Sequence, residues 1–187
     1  YDPETWSNLE QVATLSLVSY MYPVGLHLYK DGGLLVSFQG MYTFPFSIGI
    51  ARYDLDSGLI WKKENFCHHW FSVAEDGRIF SPALHVFDRP VPLGETAALI
   101  SMGKARFLND IVLILDPNGD ILEEVPMLDA LSASGLSGLV QKAGDLDVNS
   151  NDPTHLNDVR VVSAKAAATV PWLNAGDLIV SFRHLNT

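Results

Sequence analysis

The sequence has one cysteine, Cys67, among 187 residues. No internal disulfide is available, so cysteine usage does not report the redox compartment. Basic residues are scarce: 12 Lys and Arg stand against 22 Asp and Glu, a net charge of −10. That balance cannot neutralise phosphates in quantity, which argues against nucleic acid and against an anionic membrane surface as partners. An anionic ligand could be held only by a local basic pocket. No apolar run approaches the ~20 residues of a membrane-spanning helix. Also missing are a Gly-rich phosphate loop, zinc-type Cys/His spacing and a Gly-x-Ser-x-Gly elbow.

What is present is a hydrophobic content of 48% with only 18% charged residues. The chain is therefore globular, and its length suits a single domain spanning residues 1–187. It opens "YDPETW" and closes "SFRHLNT" inside what reads as a strand. Without an initiator methionine or signal pattern, a piece of a longer protein is expected.

Short apolar runs flank a series of turns: "KDGG" (30–33), "DLDSG" (54–58), "AEDG" (74–77), "DPNGD" (116–120) and "NAGD" (174–177). Glycine and Asp/Asn in these positions predict successive antiparallel hairpins, and hence an all-β fold. Repeated hairpins point to a β-propeller, whose blades take roughly 40–50 residues, about four blades' worth here. A β-sandwich or barrel is the competing architecture. The stretch "PMLDALSASGLSGLVQKAG" breaks the pattern with its Leu, Ala and Ser, so a short helical insertion is expected around 126–143.

Four stretches carry candidate chemistry. In "CHHW", His68 and His69 lead toward a strand, where neighbours face opposite ways, so one of the two is expected to face a given pocket. In "DPTHLNDV", His155 and Asn157 share strand parity and could face one pocket; the alternative is a turn whose Asp and Asn cap backbone groups. Arg183 lies within "LIVSFRHL", where an unpaired buried charge is costly, so a carboxylate or a bound anion is expected beside it. In "DLDVNSND", Asp145, Asp147 and Asn149 alternate like calcium ligands. Ser150 stands where a calcium loop wants glycine and no twelfth-position glutamate follows, so a solvated loop is favoured over a calcium site.

The ordered set "GIARYDLDSGLIWK", "HHWFSVAEDGRIF", "ILDPNGDILEEVPMLDAL", "DPTHLNDVRVV" and "GDLIVSFRHLNT" resembles the arylsulfotransferase family over most of residues 25–187. Members of that family are six-bladed β-propellers that move a sulfuryl group from a phenolic sulfate ester to another phenol without a nucleotide donor. The resemblance implies that His155 is the active-site histidine of the Asp-x-x-His-x-Asn motif and that Arg183 is the arginine of Ser-x-Arg. It implies that one of His68 and His69 faces a central channel, and that Asn157 belongs to the motif. Trp70 stands where the family usually has an acidic residue. The family's covalent histidine would fall in a blade after Thr187, and His184 is not at that motif.

Under this resemblance Arg183 grips the sulfuryl oxygens, while His155 and one of the paired histidines donate hydrogen bonds or protonate the leaving phenolate. No cofactor and no metal is called for. Trp70, Phe71 or Trp172 are candidates to stack an aryl ring, each with a core role as the alternative. The implied partners are a phenolic sulfate ester and a phenol acceptor, with a partner chain or self-association covering open blade edges. A periplasmic or extracellular location is expected. The competing functions are a non-catalytic propeller that binds or assembles, and a calcium-stabilised propeller with unrelated hydrolase chemistry.

Overall fold

The structure, a computed structural model, describes residues 21–40, 46–87, 91–93, 98–100, 107–140 and 152–185. The first sheet is an antiparallel meander of β1 (Met21–Leu28), β2 (Leu34–Gly40), β3 (Ser47–Tyr53) and β4 (Leu59–Lys63). The second is built from β5 (Ser72–Val73), β6 (Ile79–Phe87), β9 (Phe107–Leu115) and β10 (Ile121–Pro126) in that spatial order. A separate hairpin, β7 (Val91–Leu93) with β8 (Ala98–Ile100), is inserted between β6 and β9. The third sheet pairs β11 (Leu156–Val161) with β12 (Leu178–Phe182). The all-β expectation holds.

All five predicted turns form. Each closes with an amide donating to a carbonyl across the turn, as Asp116 N–H does to Asp120. In "DPNGD" the Asp116 carboxylate also accepts from the amides of Asn118 and Asp120, both at 2.8 Å. That short side chain substitutes for a missing backbone acceptor and fixes the turn. The last connection differs from a plain hairpin. A short helix α2 (Ala164–Ala167), capped by the Ser163 hydroxyl, precedes the "NAGD" turn.

The helical insertion is also present. Helix α1 (Met127–Ala133) follows β10 directly, and residues 137–140 resume a helical turn. Gly135, at φ +74°, separates the two by taking the left-handed conformation that ends a helix. Met127 and Leu128 are buried, and Met127 joins the core beneath the second sheet.

The second sheet is covered on both faces. On β9 the odd residues Ile111, Leu113 and Leu115 pack with Leu35 and Ile50 of the first sheet. The even residues Val112 and Ile114 pack with Leu156, Val159 and Phe182 of the third. Burial on both faces is why "IVLIL" reads as an unbroken apolar run and not as an alternation. The described elements thus form two four-stranded sheets and two two-stranded ones, with the β11–β12 sheet packed on one face of the second sheet and the first sheet on the other.

The first two sheets are also tied at one edge. Trp61 Nε1 and Arg52 Nη1 both donate to the Pro117 carbonyl, at 3.2 and 3.3 Å. Lys63 pairs with Asp120 at 3.2 Å. Gly119 sits under Trp61 with φ +83°, and a Cβ there would meet the indole at 2.9 Å. Gly119→Val should therefore combine the left-handed penalty of about 1–2 kcal/mol with an overpacking cost of similar size. The expected loss is about 2–4 kcal/mol, measured by urea denaturation as a lower midpoint at unchanged slope.

Candidate functional site

The site begins in the loop between β4 and β5. Here the chain takes a positive φ at Phe66 (52°) and again at His69 (51°). Residues with a Cβ adopt this region at a cost of about 1–2 kcal/mol, so the surroundings must hold it. They do so through the backbone. His68 N–H donates to the Pro82 carbonyl at 3.0 Å, and Trp70 N–H to the Asn157 carbonyl at 3.2 Å. The Ser37 hydroxyl donates to the His69 carbonyl at 2.8 Å. Gly25 makes room for that contact, since a Cβ on it would lie 2.7 Å from the same oxygen.

This loop corrects the geometric basis assumed for the two histidines: His68 is buried and His69 half-buried. Strand alternation does not apply, because His68 and His69 precede β5 and the left-handed turn at His69 brings its ring back toward its neighbour. Their Nδ1 atoms are 2.7 Å apart and their ring centroids 4.9 Å apart. Gln39, from β2, places its amide nitrogen 3.1 Å from His69 Nδ1.

Behind His68 stands Asp110 of β9, fully buried. One carboxylate oxygen accepts from the Thr154 hydroxyl at 2.5 Å and from the Leu156 amide at 2.9 Å. The other lies 3.4 Å from His68 Nε2, an ionic approach and not an aligned hydrogen bond. Asp110 thus braces both the His68 ring and the turn that enters β11. That turn carries His155, again at a positive φ of 50°.

His155 is gripped by Asp152, which accepts its amide at 3.0 Å and meets its Nδ1 at 2.5 Å. His184 reaches the same residue, with Nδ1 2.6 Å from the Asp152 carbonyl oxygen. The His155 and His184 rings are 4.7 Å apart, and His155 lies 5.3 Å from His69. Phe46 packs against His68, His69 and His155 at 5.5–5.7 Å. Four imidazoles from three segments therefore form one contiguous row beside an aromatic wall.

Arg183 needs correction as well. It does not lie buried within the strand; it is exposed, in the turn that follows β12. Phe182, the last strand residue, takes the buried place instead. Arg183 N–H donates to the His155 carbonyl at 3.0 Å, so its backbone is fixed to the site. Among the described residues no carboxylate pairs with its guanidinium.

The electrostatics follow from this packing. Burial, then the neighbouring His68 and His155 and the Arg183 charge, together push His69 down to about 3 against the opposing pull of Asp110. His69 is neutral at physiological pH. Burial alone would raise Asp110, but His68, Thr154 and the Leu156 amide outweigh it and hold the carboxyl below its usual range. Cys67, next to His68, is pushed up to about 12 by burial and is an unreactive thiol.

Asp152, His155 and His184 offer ligand atoms within 4.8 Å of one another, so this is the group that could hold a metal ion. The three are already joined by the two contacts just described. The calcium-type residues Asp145, Asp147 and Asn149 lie outside the described residues.

The remaining candidates divide. Trp70 is half exposed and bridges to Asp158 in β11, with the Arg160 guanidinium 5.9 Å from its ring. The Asn157 carbonyl holds Trp70, and the bulge between Leu156 and Asp158 breaks the parity assumed for His155 and Asn157. Phe71 is a core residue, and Trp172 is 77% exposed. Sequence reasoning missed Asp110, Gln39, Phe46 and the role of His184. Of these, Asp110 had a signal: an acid inside the apolar run "FLNDIVLIL".

The described site thus combines clustered imidazoles, two fixed carboxylate residues and an arginine with no carboxylate partner among the described residues. Residues 25–187 match the family model described as arylsulfotransferase (ASST). The chain belongs to the arylsulfotransferase family, whose substrates are aryl sulfates and phenols. No curated protein and no solved structure matches it. Among the described residues no helix is long and apolar enough to cross a membrane.

Two outcomes follow. Folding favours neutral His69, so that contribution is whole above its ordinary 6.5 and is lost as pH falls toward 3. The depressed Asp110 adds a loss at lower pH, below its ordinary 3.8. Tm should therefore drop on acidification from pH 6.5, and His69→Asn, which tolerates the left-handed backbone, should flatten the slope between pH 6.5 and 4. Asp110→Ala strands His68, Thr154 and the Leu156 amide, and should cost about 3–5 kcal/mol by chemical denaturation.

Proposed function

We propose that this chain forms the anion-binding part of a sulfuryl-transfer site, in which a sulfuryl group passes from a phenolic sulfate ester to a phenol through a histidine intermediate. The observation that carries the reading is the exposed Arg183, whose guanidinium has no carboxylate partner among the described residues and whose backbone is bonded to His155 beside the row of imidazoles. In sulfuryl transfer, charge spreads over the equatorial oxygens, so fixed positive charge and aimed N–H donors supply most of the catalysis.

Arg183 meets the sulfuryl oxygens. His155 exchanges a proton with the phenolic oxygen, its Nδ1 held by Asp152 in the manner of a carboxylate-oriented general acid–base. His69, and His68 behind it, complete the donor set. Trp70 and Asn157 lie on the rim, with Trp70 offering a half-exposed ring to the aryl group. In this proposal the covalent histidine belongs to a later blade, so anion binding by residues 25–187 and turnover are separate observables.

The reading includes a β-propeller. The two four-stranded meanders stack face to face as blades do, and the site residues come from the loops joining successive sheets. A periplasmic or extracellular setting accompanies the proposal. The second reading, a propeller that binds an anion or a partner without turnover, uses the same residues up to the covalent step.

Arg183→Ala in the full-length protein tests the two. Because the side chain is exposed and unpaired among the described residues, stability should change by no more than about 0.5 kcal/mol. Transfer between a phenyl sulfate and a phenol, measured without nucleotide donor, should fall by about 10²–10³-fold. Full activity in this variant would remove Arg183 from the mechanism. An inactive wild type that still binds sulfate through Arg183 would establish the binding reading.

A further inference from the structure

His69 Nδ1 is approached from two sides, by the Gln39 amide nitrogen at 3.1 Å and by His68 Nδ1 at 2.7 Å. An amide nitrogen only donates, so His69 Nδ1 must accept, and the single proton between the two Nδ1 atoms belongs to His68. In the structure Gln39 turns Oε1 to the Tyr22 hydroxyl, 3.3 Å away, and its nitrogen toward His69; a hydroxyl serves either end of an amide, so this orientation is part of the inference. Gln39 is itself buried. On the far side of His68, Nε2 lies 3.4 Å from the Asp110 carboxylate, itself immobilised by Thr154 and the Leu156 amide, which calls for a proton there too, so the arrangement takes His68 as an imidazolium with a proton on each nitrogen.

We infer that Gln39 is a positioning residue that fixes the tautomer of His69, which therefore presents an Nε2–H donor and no lone pair to the space it shares with His155. His155 has the opposite arrangement. Its Nδ1 faces the Asp152 carboxylate, which places a proton on Nδ1 and leaves Nε2 to exchange one. The shared space is thus bounded by one permanent donor and one proton-exchanging nitrogen. Such a pair fits an anionic ester oxygen on the His69 side and an ionisable hydroxyl on the His155 side. Resting on the sulfuryl-transfer reading, this assigns the two sides of the space different roles, with Gln39 setting the His69 side.

The test uses the full-length protein labelled with ¹⁵N in its histidines. Long-range imidazole spectra should show His69 protonated at Nε2 and unprotonated at Nδ1 throughout pH 5–9, and His155 protonated at Nδ1. Gln39→Glu replaces the donor with an acceptor and should move the His69 proton to Nδ1. Inorganic sulfate should then bind about tenfold or more weakly, the loss of one hydrogen bond to a charged group. A wild-type His69 protonated at Nδ1 overturns the inference without any variant. So does a folded Gln39→Glu protein whose His69 keeps Nε2–H. If the tautomers are as stated but sulfate leaves the Nε2–H signal unmoved, the positioning by Gln39 stands and the sulfuryl-transfer reading falls.

Discussion

A carboxylate with no access to water is the constraint on which the rest of the structure depends. Asp110 lies on a strand whose neighbours, Ile111 and Val112, belong to the two cores on either side of the second sheet. An ionised group there is tolerated only if its lone pairs are met. One oxygen is met by Thr154 and the Leu156 amide and the other lies in ionic range of His68, partners that come from two distant segments. Satisfying one buried charge therefore orients the His68 loop and the His155 turn at once. The polar site is the solution to an electrostatic problem created by the core.

The same economy explains how two histidines persist in left-handed backbone. Neither His69 nor His155 has a sequence reason to prefer that conformation, unlike the turn glycines 32, 77 and 119. Each is held by hydrogen bonds to its own carbonyl: Ser37 donates to His69, Arg183 to His155. Inward-curled carbonyls and aligned rings are then one geometry. Strain of this kind at adjoining residues of one cluster marks where folding has been bent toward a task. The protein's net charge of −10 gives long-range repulsion of anions, so the anion binding proposed for the site would have to be local and short-ranged.

Much of the scaffold was legible because turns speak through chemistry. "DPNGD" and "AEDG" specify hairpins by themselves, and Gly135 marks the break in the helical insertion whatever surrounds it. The site was legible only as a set of residue types. His68 and His69 were judged by strand alternation, which fails where a residue takes positive φ, and nothing in "CHHW" announces that. Arg183 was read as interior because "LIVSF" is apolar, yet the strand ends one residue earlier. The argument that a charge within an apolar run needs a partner was sound, and it applied to Asp110. Gln39 and Phe46 carry no local signal, since their importance arises from a neighbour 30 residues on in one case and from three separate rings in the other.

The inter-sheet placement of these contacts bears on how the protein comes to be folded. Ser37 and His69 are 32 residues apart, and Asp110 and Thr154 are 44 apart. Each hairpin can close through near neighbours, but these bonds need sheets already formed and docked. Loops of that length must be closed before any of the bonds can contribute, which is the slow, non-local kind of step. The imidazole row is consequently a late product of folding. A chain with correct hairpins and undocked sheets has every strand and no site, so the order of assembly runs from turns, to sheets, to the row of rings.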